Sequence, residues 1–266
     1  MASENGAEGK KDYIMEHLLD SSELHLPFVH VELPRFELFG IDVSITRHVV
    51  MMWVAAAFLL WVFIRTTRRR GLVPSGLANL LESVIVFIRD EIAVPNIGAR
   101  EAGRFLPFLF TVFFFILTCN LLGLVPYGAT ATGNVSITAG LAVCAFLVIQ
   151  MGGILHNGFL GYFKGLVPHG LPLPITLLMI PIELIGLIAK PFALCIRLFA
   201  NMTAGHVIIL ALLGLIFMFK SYAVAPVSVL FALAIYLLEI FVALVQAYIF
   251  TMLSAVFIGM AVHEDH

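Results

Sequence analysis

The chain has 266 residues, 61% of them hydrophobic and 12% charged, with a formal net charge of −2. An ordinary soluble domain is nearer half apolar and a quarter charged, so the apolar excess has to face lipid. A slightly acidic balance, with no basic stripe interleaved with aromatics, excludes nucleic acid as a partner.

Charge is also unevenly distributed. Between Phe105 and Val262 only Lys164, Glu183, Lys190, Arg197, Lys220 and Glu239 carry it, too few to build a soluble surface. Cys119, Cys144 and Cys195 sit in apolar runs without paired metal-ligand spacing and read as reduced packing residues. Neither a metal nor a cofactor is expected.

Residues 1–44 form a polar tail with nine acidic side chains against Lys10, Lys11 and Arg35. His17, His25 and His30 are spaced by 8 and 5, which does not gather them on one helical face. No charged segment followed by an apolar one marks a cleavable signal, so the first span is expected to direct insertion itself. That span covers 45–64 and ends at Arg65, Arg68, Arg69 and Arg70, a basic cluster that marks the cytoplasmic side and leaves the N-terminus non-cytoplasmic.

Residues 75–94 place Leu77, Leu80, Leu81, Val84, Ile85 and Ile88 at helical spacing, with Glu82, Arg89 and Glu91 among the polar positions. This pattern predicts an amphipathic helix on the cytoplasmic surface, or a connector helix packed on protein. Residues 105–262 are expected to form one helical domain. Its first spans are Phe105–Val125 and Val135–His156, joined by the uncharged loop PYGATATGN. The Gly- and Pro-rich stretch 157–174, with Lys164 and His169, reads as a cytoplasmic loop.

Two unusually long apolar stretches follow. Residues 175–219 as one helix would measure about 68 Å and residues 226–262 about 55 Å, each well over the hydrocarbon thickness. Neither holds the polar cluster a buried turn needs, so each is predicted as one strongly tilted helix, kinked in the first case by Pro181 and Pro191. The predicted fold is therefore an all-α polytopic membrane protein. It has about five membrane helices, the last two a long tilted hairpin, plus one amphipathic surface helix, and residues 263–266 are cytoplasmic. No internal repeat supports a carrier of two symmetric halves.

An ionisable side chain inside a span costs a few kcal/mol on insertion scales (roughly 2.5–3.5), so it is a functional hypothesis by default. Glu183, Lys190 and Arg197 recur every seven residues and form one helical stripe, which Asn201 continues. His206 lies nine beyond Arg197, on the opposite face. In the last helix Glu239 and Gln246 are again seven apart. Folding the two long helices as a hairpin about Tyr222 sets Arg197, 25 residues before the turn, level with Gln246, 24 after it; His206, 16 before, falls level with Glu239, 17 after.

Arg197 is a permanent cation that holds its proton, whereas His206 and Glu239 can exchange protons. Asn201 and Gln246 can orient water or a guanidinium without changing charge. Plainer readings stand beside these: Glu183 and Lys190 as snorkelling charges, His206 with Glu239 as a structural ion pair, and Asn120 and Gln150 as interhelical hydrogen-bonding groups. For Arg197 the reading is a guanidinium buried away from water.

The run KPFALCIRLFANMTAGH (190–206) resembles the a subunit of the membrane (Fo) sector of bacterial F-type ATP synthases. CNLLGLVPY (119–127) and LVQAYIFTMLSAVFIGMAVHEDH (244–266) are similar to the same family. The resemblance implies a stator in the bacterial plasma membrane beside a ring of c subunits and a b subunit stalk, serving the remainder of the synthase. Protons would reach the ring through one half-channel and leave through another. Arg197 matches the arginine that separates the two and forces the ring carboxylate to ionise. Asn201, His206, Glu239 and Gln246 match the non-cytoplasmic half-channel, and Glu183 the cytoplasmic one; Lys190 and Asn120 are further candidates. Some relatives exchange acid and histidine between the positions of His206 and Glu239. No phosphate-binding glycine loop is found, so nucleotide chemistry belongs to partners. The competing readings are an autonomous cation/proton antiporter and a structural membrane subunit.

Overall fold

A computed structural model describes residues 23–26, 29–32, 37–38, 41–42, 46–68, 76–125, 130–165, 173–219 and 225–263. Lys10, Lys11, His17, Arg35, Arg69, Arg70, His169, Lys220, Tyr222 and residues 264–266 lie outside these.

Within the acidic segment the described residues form two short hairpins. Strands β1 (Glu23–Leu26) and β2 (Val29–Glu32) pair antiparallel, as do β3 (Glu37–Leu38) and β4 (Ile41–Asp42). The alternation in ELHL and VHVE has the period of a strand, a signal that counting charges alone passes over. In register, His25 stands opposite His30.

Helix α1 (Arg47–Arg68) runs four residues beyond its expected end. Arg65 and Arg68 occupy its last turn, where cations favour the negative end of the helix dipole, so the basic cluster prolongs the helix. The Arg65 guanidinium lies 5.7 Å from the Trp61 ring centre.

The expected amphipathic helix is present with a defect in its middle. Helix α2 (Leu77–Phe87) passes into a π-helical turn (Ile88–Ala93) and then into α3 (Val94–Ile97). A π turn widens the helix by about one residue per turn, and the buried stripe here takes in Ile88, Ile92 and Ala93 together before Ile97. Glu82, Arg89, Asp90 and Glu91 are exposed, and Arg89 Nε donates to Asp90 Oδ1 at 2.7 Å. That pairing holds the Asp90 carboxyl below, and the Arg89 guanidinium above, their ordinary ranges. Leu77 and Leu80, assigned from spacing to the apolar face, are 68% and 60% exposed and leave a hydrophobic flank outside the chain's own packing.

The remaining helices are α4 (Ala102–Gly123), α5 (Val135–Asn157), α6 (Phe159–Gly165), α7 (Leu173–Phe219) and α8 (Ala225–Val262). The stretch 157–174 is thus not wholly a loop. Gly158, at φ 74, turns the chain, and α6 then buries Tyr162 to 2% exposure. Helices α7 and α8 are continuous over 47 and 38 residues, each a single helix rather than two spans with a buried turn. Helices α1, α4, α5, α7 and α8 are long and apolar enough to cross a membrane.

By contacts the chain divides into two units. The first holds 1–59, 117–135 and 198–245; the second holds 60–116, 136–197 and 246–266. In the first unit, α8 buries Ser228, Ala232, Glu239 and Ala243, a stripe at helical spacing with two polar members. In the second, α8 buries Ala247, Phe250, Ser254 and Ile258. Gly259 is required there, because a Cβ at that position would fall on the Asn96 carbonyl oxygen, a backbone atom that cannot swing aside.

Candidate functional site

The first unit contains a titratable pair, Glu239 buried and His206 part-buried. His206 Nδ1 lies 3.2 Å from Glu239 Oε1, and their side chains are 29% and 6% exposed. The Glu239 carboxylate can lie against α7 here because residue 205 is glycine: a Cβ there would coincide with it. The far side of the imidazole faces α4 and the turn after it. His206 Nε2 is 2.9 Å from Thr130 Oγ1 and 3.1 Å from the Gly123 carbonyl oxygen. Thr130 is held in turn by α1, where His48 Nδ1 donates to its carbonyl at 3.1 Å.

Asn120 sits in the same unit, fully buried on α4. It accepts from Thr132 Oγ1 at 2.6 Å and donates to the Ala243 carbonyl at 3.4 Å. Both of its polar atoms are thereby engaged, as expected of an interhelical hydrogen-bonding group. Tyr236 donates to the Leu124 carbonyl at 2.9 Å, a second tie between α8 and the end of α4.

The second unit holds the other candidates. Gln246, 3% exposed, donates from Nε2 to the Arg197 carbonyl at 3.3 Å. Both pairings counted from the sequence, His206 with Glu239 and Arg197 with Gln246, are therefore contacts. Glu183 and Lys190 line a cavity of about 220 Å³ together with Gln150, Tyr162, Leu187 and Phe257. This is room for several waters. Lys190 Nζ lies 5.5 Å from the Phe257 ring centre, and Tyr162 donates to Gln150 Oε1 at 2.7 Å.

Arg197 lies outside the chain's own packing. Its side chain is exposed rather than buried within the chain, as are those of Phe192 and Ile196. Among the described residues no carboxylate forms an ion pair with its guanidinium. Spacing identifies which residues share a stripe of α7, but whether that stripe faces the chain's own core or a partner depends on packing that one sequence does not encode.

Sequence reasoning did not single out Gly123, Thr130, Gly205 or His48. The available signal was Gly205 itself, since a glycine inside a helix costs about 1 kcal/mol relative to alanine and usually marks a close approach. A backbone carbonyl such as that of Gly123 leaves no trace in residue type.

These features define a class first: a polytopic helical membrane protein with proton-exchanging side chains set in apolar helices, suited to ion translocation and without a nucleotide-binding glycine loop. The family model described as ATP synthase A chain matches residues 49–259. The chain is 55% identical over 259 residues to the ATP synthase subunit a of Chloroherpeton thalassium, covering 95% of this chain and 77% of that protein. It is 52% identical over 272 residues to the ATP synthase subunit a 2 of Prosthecochloris aestuarii, covering 99% and 83%. A third relative, from Chlorobaculum tepidum, is 51% identical over 264 residues, covering 96% and 74%. The chain belongs to the ATP synthase A chain family. Membership makes it a proton-conducting, multi-pass subunit of the membrane sector of an F-type ATP synthase.

Proposed function

We propose that this chain is the stator of the proton-driven rotor, offering two half-channels to a ring of c subunits in the bacterial plasma membrane. The single observation that carries the reading is the His206–Glu239 contact, two proton-exchanging groups side by side among apolar helices. Asn201 and Gln246 are assigned to the same non-cytoplasmic path, with Asn120 bracing it. Glu183, beside Lys190 in the cavity of the second unit, is assigned to the cytoplasmic path.

Arg197 keeps the two paths from short-circuiting. A fixed cation repels a free proton and stabilises the ionised form of any carboxylate that passes it. Its exposed, apolar-ringed position suits a site completed by the ring's membrane carboxylate. One charge crossing 100 mV gains only about 2.3 kcal/mol, so many steps must be summed, as rotation does. A b subunit stalk would anchor the chain against that torque. The N-terminus is placed outside the cytoplasm and the C-terminus inside it. Residues 1–44, 45–64, 75–94 and 105–262 are proposed as tail, first span, cytoplasmic-surface helix and ion-conducting domain.

Reconstitution tests this against an autonomous antiporter. Liposomes holding the chain alone should show no ion-dependent proton movement, and liposomes holding it with its ring and stalk should conduct. Proton–cation exchange by the chain alone would overturn the assignment.

A further inference from the structure

We infer that protons enter the His206–Glu239 pair at Glu239 Oε2, with His206 acting as a positioning residue whose outer nitrogen keeps its hydrogen. The inference rests on the proposed proton path and deepens it by giving the order of transfer.

The argument begins with the Gly123 carbonyl. A carbonyl oxygen only accepts, so the 3.1 Å contact requires a hydrogen on His206 Nε2, whether the ring is neutral or charged. Thr130 Oγ1, 2.9 Å from the same nitrogen, then serves as a second acceptor for that hydrogen. An incoming proton finds no lone pair at Nε2, and a proton leaving from Nε2 would have to abandon both acceptors.

Exchange is thereby confined to the inner side of the pair, where Nδ1 faces Glu239 Oε1 at 3.2 Å. The other carboxylate oxygen, Oε2, is buried and receives no hydrogen bond from the described residues. A buried acceptor left without a donor costs about 1–3 kcal/mol, more when charged. Binding a proton relieves that cost, which makes Oε2 the site of highest proton demand in the pair.

The step balances simply. A hydrated proton gives up one O–H bond to leave water, and a new O–H bond forms at Oε2. On release that bond breaks and the proton passes to the next base. His206 serves as an imidazolium throughout: Nε2–H stays with its acceptors and Nδ1–H donates to Oε1 both while Glu239 is ionised and while Oε2 carries the proton, so neither ring nitrogen gains or loses a hydrogen. Thr130 and the Gly123 carbonyl hold the ring in this orientation, with His48 fixing Thr130 through its backbone.

The test uses the complete synthase in inverted membrane vesicles, with ATP-driven acidification as the readout and subunit content checked on native gels. Glu239→Gln, which keeps the shape but binds no exchangeable proton, should lower pumping at least 100-fold. His206→Gln keeps an N–H donor and should retain a tenth or more of normal pumping. Thr130→Val should lower pumping several-fold and Thr130→Ser should restore it, a rescue that packing alone does not produce. Infrared difference spectra should show a carboxylic-acid carbonyl band absent in Glu239→Gln and present in His206→Gln. If His206→Gln is as damaging as Glu239→Gln in an assembled complex, or its spectrum lacks that band, the order of transfer is overturned while the path survives. If both variants pump normally, the path itself is wrong.

Discussion

Gly205 and Glu239 occupy one space: the carboxylate of the last helix lies where a side chain at 205 would begin. The atoms in the way are the far end of a flexible side chain, so an added methyl displaces the carboxylate and leaves the helices together. Alanine also favours a helix over glycine by about 1 kcal/mol. Gly205→Ala should therefore leave assembly and thermal stability unchanged or slightly raised while proton pumping falls at least tenfold. Normal pumping, or a complex that fails to assemble, would show the contact to be differently built.

Arg197 makes no ion pair among the described residues and is exposed, so its removal should change the stability of the chain by no more than about 0.5 kcal/mol. Its loss should nonetheless abolish coupled pumping. Arg197→Ala is expected to assemble at normal levels and to give no ATP-driven acidification of inverted vesicles. Acidification at the normal rate would remove Arg197 from the mechanism.

Asn120 satisfies the Thr132 hydroxyl at 2.6 Å inside a fully buried site. Asn120→Leu orphans that hydroxyl and should destabilise the chain by about 1–3 kcal/mol in detergent denaturation. Adding Thr132→Val should recover part of the loss, because no polar group then remains unpaired. A double variant less stable than Asn120→Leu alone would contradict the pairing.

The hairpin register can be read chemically. With Cys119, Cys144 and Cys195 replaced, cysteines at 206 and 239 should form a disulfide readily, and cysteines at 206 and 243, one helical turn away, should not. The reverse preference would shift the register of α7 against α8 and undo the assignment of the pair.

Much of this architecture was legible in residue order. Apolar runs bounded by charge gave the spans, and equal distances from the turn gave both cross-helix pairings, because a hairpin of two straight helices has one rise per residue on both arms. Three kinds of feature were hidden. The π turn at Ile88–Ala93 interrupts the regular period, and Leu77 and Leu80 at the start of α2 lie outside the packing that simple periodicity gave them. Partners of His206 such as the Gly123 carbonyl are backbone atoms, which have no signature in sequence. The orientation of Arg197 depends on which face of α7 meets the rest of the chain, and seven-residue spacing is silent about that.

The outward-facing guanidinium also bears on biogenesis. A newly inserted copy would hold a positive charge against lipid tails with no counter-ion among the described residues, and in that state it would draw water or phospholipid headgroups to its depth. Docking of an acid-bearing neighbour would end that distortion in the same event that switches the motor on. Orphan copies should consequently be short-lived, and their lifetime in the cell should track the supply of the subunit that brings the acid.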